Sequence, residues 1–177
     1  MQMSAVWLLA VALGLDAFSV GVGVGAGGVR IGYALKLGAL VAAMHAFLPL
    51  VGMVMGEYAG RLLGSAATFA GGAVLALLGV HMVAHAFGGN RGREAVRGEW
   101  SAWLLAAGVS VDSMSVGFSL GLAAADAVKT AALFGVAGGA MALAGLLLGG
   151  RLGRWAGDYG EALGGIMLLA FGLRMIW

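Results

Sequence analysis

The sequence predicts an all-α integral membrane protein whose six transmembrane helices form two inverted three-helix repeats. Three observations lead there. Hydrophobic residues make up 62% of the 177 and charged residues only 10%, against about 25% charged in soluble domains. Six apolar runs reach membrane-spanning length. The motif Asp-x-x-Ser-Val-Gly occurs twice, at residues 16–21 and 112–117.

The runs fall near 4–27, 34–56, 64–86, 101–123, 128–150 and 159–177, each close to the ~20 residues that cross a ~30 Å hydrocarbon core as helix. No Lys or Arg precedes Arg30, and the first run exceeds a signal-peptide core, so span one is expected to be retained. Span two carries His45 and the single proline, Pro49, which is expected to kink the helix and loosen backbone carbonyls. Span three ends at His81 and His85, whose i, i+4 spacing beside a loop reads as interface anchoring. Span six is charge-free only over 162–173; Arg174 can snorkel and Trp177 can anchor at an interface. Asp158 and Glu161 before it suit a helix amino terminus. Glu57, Glu94, Glu99 and Asp126 read as solvated loop charges.

Residues 1–87 therefore form the first repeat, 88–100 a cytoplasmic linker and 101–177 the second, in one membrane domain. Seven basic residues (Arg30, Lys36, Arg91, Arg93, Arg97, Arg151 and Arg154) lie in connectors one, three and five, against Arg61, Lys129 and Arg174 on the other side. The positive-inside rule then puts both termini outside the cytoplasm. A net charge of +2 spread between spans gives no nucleic-acid surface. The absence of cysteine removes disulfides, thiolate metal sites and iron–sulfur chemistry, and no GxxxxGK[ST] loop points to ATP.

The repeat extends beyond the motif. Asp16, Ser19, Val20, Gly21 and Gly25 recur 96 residues later as Asp112, Ser115, Val116, Gly117 and Gly121. After a three-residue slip, Lys36, Gly52, Gly56, Gly60, Arg61, Gly71, Gly72 and Gly79 recur 93 residues later. Three spans per repeat is an odd number, so the second repeat enters the membrane from the opposite face. Inverted repeats are a common build of secondary transporters, with sites near the midplane at the repeat interface.

Of the eight acidic residues, only Asp16 and Asp112 belong at mid-membrane depth. A charge there costs roughly 2.5 to 3.5 kcal/mol on insertion scales and faces a bundle interior or an aqueous cavity. Asp112, Ser115 and Ser119 stand at i, i+3 and i+7, one helix stripe, and Asp16 with Ser19 begins the same stripe in span one. The predicted metal ligands are Asp16, Asp112, Ser19, Ser115 and His45, with Ser119 and Glu161 as secondary candidates. Carboxylate, hydroxyl and water oxygens suit Mn(II), Mg(II) or Ca(II), and an imidazole tilts the set toward Mn, Fe, Co or Zn. The paired glycines Gly21/Gly25 and Gly117/Gly121 read as close-packing surfaces. The ten methionines read as apolar filling rather than a copper site.

DAFSVG in span one, PLVGMVMG in span two, SVDSMSVG in span four and EALGGIMLLAFG in span six resemble the manganese efflux pumps of the MntP family, within the lysine-exporter superfamily. The resemblance covers essentially the whole chain. It implies a bacterial cytoplasmic (inner) membrane protein that exports Mn(II) as substrate, with no cofactor and no catalytic residues, and with Asp16 and Asp112 as transport-critical. Two departures remove oxygen ligands from the family pattern: His45 replaces a glutamine or glutamate, and Gly138 and Ala142 replace threonine and serine. Proton exchange is the expected coupling. Export of another divalent cation or a small amino acid is the alternative, though no basic residue at mid-depth answers an amino acid's carboxylate. An intramembrane aspartyl protease would resemble GxGD where this chain has LGLD and VSVD, and a membrane scaffold would leave both aspartates idle.

Overall fold

The computed structural model describes residues 3–87, 99–123 and 126–177, and among these every regular element is helical. The order is α1 (Met3–Gly25), α2 (Ile31–Leu63), a 3₁₀ turn (Gly64–Ala66), α3 (Ala67–Phe87), α4 (Glu99–Leu122) and α5 (Ala127–Ile176). Six stretches are long and apolar enough to cross a membrane: Ala5–Gly25, Ile31–Leu63, Ala67–Ala84, Ala102–Leu122, Ala127–Leu152 and Tyr159–Ile176. The all-α, six-span expectation holds. Most of the linker expected at 88–100 lies outside the described residues, and Glu99 and Trp100 already belong to α4.

One local expectation fails. Spans five and six share α5, which is helical without interruption, so Glu161 does not sit at a helix amino terminus. Glycines between the spans weaken a helix by about 1 kcal/mol each, but unlike proline they keep the N–H donor. The axis of α5 nevertheless bends back on itself between residues 149 and 160. Gly149 packs on Val22 of α1 and on Ala26 just beyond its end, whereas Gly160 approaches Leu15 and Phe18 and Gly164 meets Ala12, so the contacts climb α1 and then descend it.

The connections are short. Gly28 (φ +75°) and Gly64 (φ +56°) occupy the left-handed region after α1 and α2, where a side chain would be strained. Asp126 caps α5 by accepting from the Lys129 N–H at 3.2 Å and pairs with Lys129 Nζ at 3.0 Å. The Lys129 side chain first, and its backbone N–H second, hold the exposed Asp126 carboxyl below the usual range.

Helix direction follows from the glycine contacts. Gly145 and Gly149 meet Phe18 and Val22, so α1 runs parallel to the first half of α5; Gly52 and Gly56 meet Met114 and Phe118, so α2 runs parallel to α4. By contrast, α3 runs antiparallel to the second half of α5: a Cβ on Gly72 would lie 2.8 Å from the Gly172 oxygen, and one on Gly165 would lie 2.8 Å from the Gly79 oxygen. The α2 helix crosses the first half of α5 antiparallel, with Ala42 on Gly135 and His45 on Gly138. Such approach lets backbones touch, the main attraction available where lipid and side chain are equally apolar. Two apolar clusters fill the interior, one including Leu9, Leu75, Leu120, Phe134 and Leu168, the other Ala17, Leu37, Val41, Ala106 and Leu146. Outward-facing Phe47, Leu77 and Val136 present the apolar exterior expected of spans in lipid.

Candidate functional site

The polar interior is built around the α2–α5 crossing. His45, 1% exposed, has its ring against Gly138, where a Cβ would lie 2.6 Å from imidazole carbon. Glycine is therefore required opposite the histidine. Ser110 Oγ of α4 lies 2.8 Å from His45 Nδ1, and Ser113 Oγ donates to the Ser110 carbonyl at 2.5 Å. Nε2 is buried with no partner among the described residues. With the ring proton on Nδ1, donated to Ser110 Oγ, the Nε2 lone pair would be available as a donor atom.

A second cluster lies where α1 meets the second half of α5. Ser19, fully buried, directs its hydroxyl at Glu161 Oε2, 3.5 Å away, and Glu161 is itself 3% exposed. Asp16, one turn before Ser19, is buried at 8%. Glu161, a secondary candidate in the sequence, thus stands beside the main stripe.

The corresponding stripe on α4 is more open. Asp112 and Ser115 are half-buried, and Ser115 borders a groove of about 290 Å³ lined also by Met55, Val74, Val111, Met114 and Phe118. Ser119, fully buried, donates to the Gly71 carbonyl of α3 at 2.9 Å, so its hydroxyl ties two helices together. Two residues before each aspartate the helices reach the crossing: Gly14 meets Met141 of α5, and Ser110 meets His45 of α2. Asp16, Asp112, Ser19 and Glu161 all have interaction partners in the structure. Among the described residues no three His, Cys, Asp or Glu side chains come together as a ready metal cluster.

Two hydroxyls of α4 at the His45 contact, Ser110 and Ser113, escaped the sequence reading, as did the buried Thr130 of α5. The i, i+3 spacing of the two serines marks a second polar face of α4, which was the available signal. His81 is exposed, whereas the side chains of His85 and Asp158 lie outside the described residues. Glu57 pairs with Arg61 at 2.8 Å on the surface, and Asp126 is exposed, as expected of solvated charges.

Carboxylates, hydroxyls and an imidazole held between apolar helices define a multi-pass membrane protein with an ionisable interior, the build of a membrane transporter. Comparison with known proteins narrows this. The family described as "Putative manganese efflux pump" matches residues 28–176. Proteins of that same description are 40% identical in Bacillus licheniformis, over 96% of this chain and 91% of the relative, and 40% identical in Geobacillus thermodenitrificans, over 99% and 96%. One from Pelotomaculum thermopropionicum is 39% identical over 96% of both chains. No solved structure matches. The chain belongs to this manganese efflux pump family, MntP, whose members are transporters rather than enzymes.

Proposed function

We propose that this protein is a secondary transporter of the bacterial inner membrane that exports Mn(II) from the cytoplasm in exchange for protons, through a central site built on Asp16 and Asp112. The observation that supports this reading is the burial of Asp16 beside Ser19 and Glu161 in α1 and α5, with Asp112 half-buried in α4, in a chain of the manganese efflux pump family. Asp16 with Ser19 and Glu161 on one side, and Asp112 with Ser115 on the other, supply hard oxygen donors. His45 Nε2 adds one nitrogen. Mn(II) accepts that mixture with water completing its shell, whereas Mg(II) favours oxygen alone.

Charge burial favours the neutral acid over the carboxylate, and a second acid nearby adds to that preference. The empty site then holds protons, and an entering divalent cation displaces them. Protons arriving from outside reload the acids and release the metal there. The two halves are inverted repeats with both termini outside, in keeping with the basic residues of connectors one, three and five.

Mn(II) flux in proteoliposomes of the purified chain, with and without an imposed pH gradient, tests the reading. An inward proton gradient should accelerate Mn(II) exit and deplete the gradient in step. Mn(II) flux indifferent to the gradient would remove proton coupling, and no flux at all would remove the transport reading.

A further inference from the structure

Most helix contacts obey the internal repeat. Adding 96 to a position in α1, or 93 to one in α2 or α3, converts one set into the other. Gly145 on Phe18 becomes Gly52 on Met114; Gly21 on Ala142 becomes Gly117 on Pro49; Gly25 on Leu146 becomes Gly121 on Met53. These contacts build a frame from α1, α2, α4 and the first half of α5. The pair formed by α3 and the second half of α5 also maps onto itself, since Gly72 on Gly172 becomes Gly165 on Gly79.

The correspondence breaks only in how that pair sits on the frame. Gly164 packs on Ala12 of α1, yet its counterpart Gly71 packs on Ser119 of α4 rather than on Gly108, the counterpart of Ala12. Gly108 is exposed, with nothing within 4 Å of a Cβ built there, whereas Ala12 is fully buried. The same asymmetry continues along the stripes: Asp16 and Ser19 are covered, Asp112 and Ser115 half-open, and Val111, counterpart of the half-buried Leu15, is 53% exposed. Even the links differ, a 3₁₀ turn with Gly64 before α3 and unbroken helix in α5.

We propose that α3 and the second half of α5 move as one body along the frame between two positions exchanged by the internal repeat, of which the structure holds one. In the other position Gly71 lies on Gly108 and Ala67 on Val111, closing the Ser115 groove, while Glu161 withdraws from Ser19 and uncovers Asp16. Gly108 and Ser119 are eleven residues apart, about 16 Å of helix, which sets the scale of the displacement. Its direction is consistent on both sides. Because α4 parallels α2, α2 opposes the first half of α5 and that half parallels α1, the start of α4 and the end of α1 lie at the same end of the frame. Movement of Gly71 toward the first and Gly164 toward the second is therefore one translation. It exchanges the Ser19–Glu161 and Ser119–Gly71 contacts for their counterparts and covers one aspartate stripe as it opens the other. This deepens the transport reading, on which it rests, by naming the moving part.

The cysteine-free chain permits a direct test by paired cysteines in membranes. L15C with G160C reports the present position, and a Cβ at residue 160 meets only ordinary 3.5 Å contacts; A67C with V111C reports the exchanged one. Both pairs should form disulfides under mild oxidation. Mn(II) and a change of pH should shift their yields in opposite directions, by threefold or more. The 15–160 disulfide should reduce Mn(II) flux at least tenfold, with recovery on reduction. Failure of the 67–111 pair to form under any condition while 15–160 forms readily, or full flux through the oxidised 15–160 protein, would overturn the proposal. Yields that move with another divalent cation but not with Mn(II) would retain the motion and overturn manganese as the substrate.

Discussion

Ser19 Oγ and Glu161 Oε2 lie 3.5 Å apart across the α1–α5 interface, joining residues 142 positions apart in the chain. The counterpart hydroxyl, Ser115, borders an open groove instead. Glu161 therefore adds a third interior carboxylate to one stripe alone.

Replacing Glu161 with Gln keeps the side chain's size and its hydrogen bonding to Ser19 but removes a charge. Mn(II) flux is expected to fall about tenfold with normal membrane insertion, equivalent to ~1.4 kcal/mol. Glu161→Gln transport equal to the parent would reduce Glu161 to a packing group.

Asp16→Asn and Asp112→Asn should each abolish flux while the protein still inserts and folds, because neither amide exchanges a proton for the metal. Purified parent protein in weak buffer should release protons on adding Mn(II). Normal proton release and flux in the double mutant would refute the two-aspartate site.

His45→Gln exchanges the Nε2 donor for an amide oxygen. Apparent affinity for Mn(II) should fall severalfold more than that for Mg(II), which accepts oxygen readily. Competition of the two ions in a binding assay measures the ratio, and an unchanged ratio assigns His45 to packing with Ser110.

A methyl group added at Gly121 would run into the Met53 backbone, whereas one at Gly32 meets nothing within 4 Å. Gly121→Ala should destabilise by ~1 to 3 kcal/mol and lower the melting temperature in detergent. Gly32→Ala should leave it unchanged or slightly raised.

A cysteine at Asn90 should react with a membrane-impermeant reagent only after cells are opened, as a cytoplasmic connector requires. Labelling in intact cells would reverse the orientation.

The hydrophobic runs and the recurring motif made the all-α, six-span fold legible, because hydrocarbon leaves an unsatisfied backbone no alternative to helix. The polar stripe was legible for a related reason: a buried carboxylate is too costly to occur at mid-span by chance. Glu161 was harder to interpret, since a charge near a span boundary looks the same whether it meets water or folds back against α1. Ser110 and Ser113 were missed because a serine within a helix is satisfied by its own backbone as easily as by a neighbouring helix.

By itself, then, the sequence determined the spans, the internal repeat and the positions of Asp16, Asp112 and His45 within their spans, all properties of rise per residue and hydrophobic cost. Only the tertiary structure decided which helices run parallel, that His45 rests on Gly138 and bonds Ser110, that Glu161 covers Ser19, and that α5 continues where a connector was expected. Those outcomes depend on which backbone surfaces approach closely enough to touch. Glycine contacts made by residues more than a hundred positions apart settle that, and no local pattern records their partners.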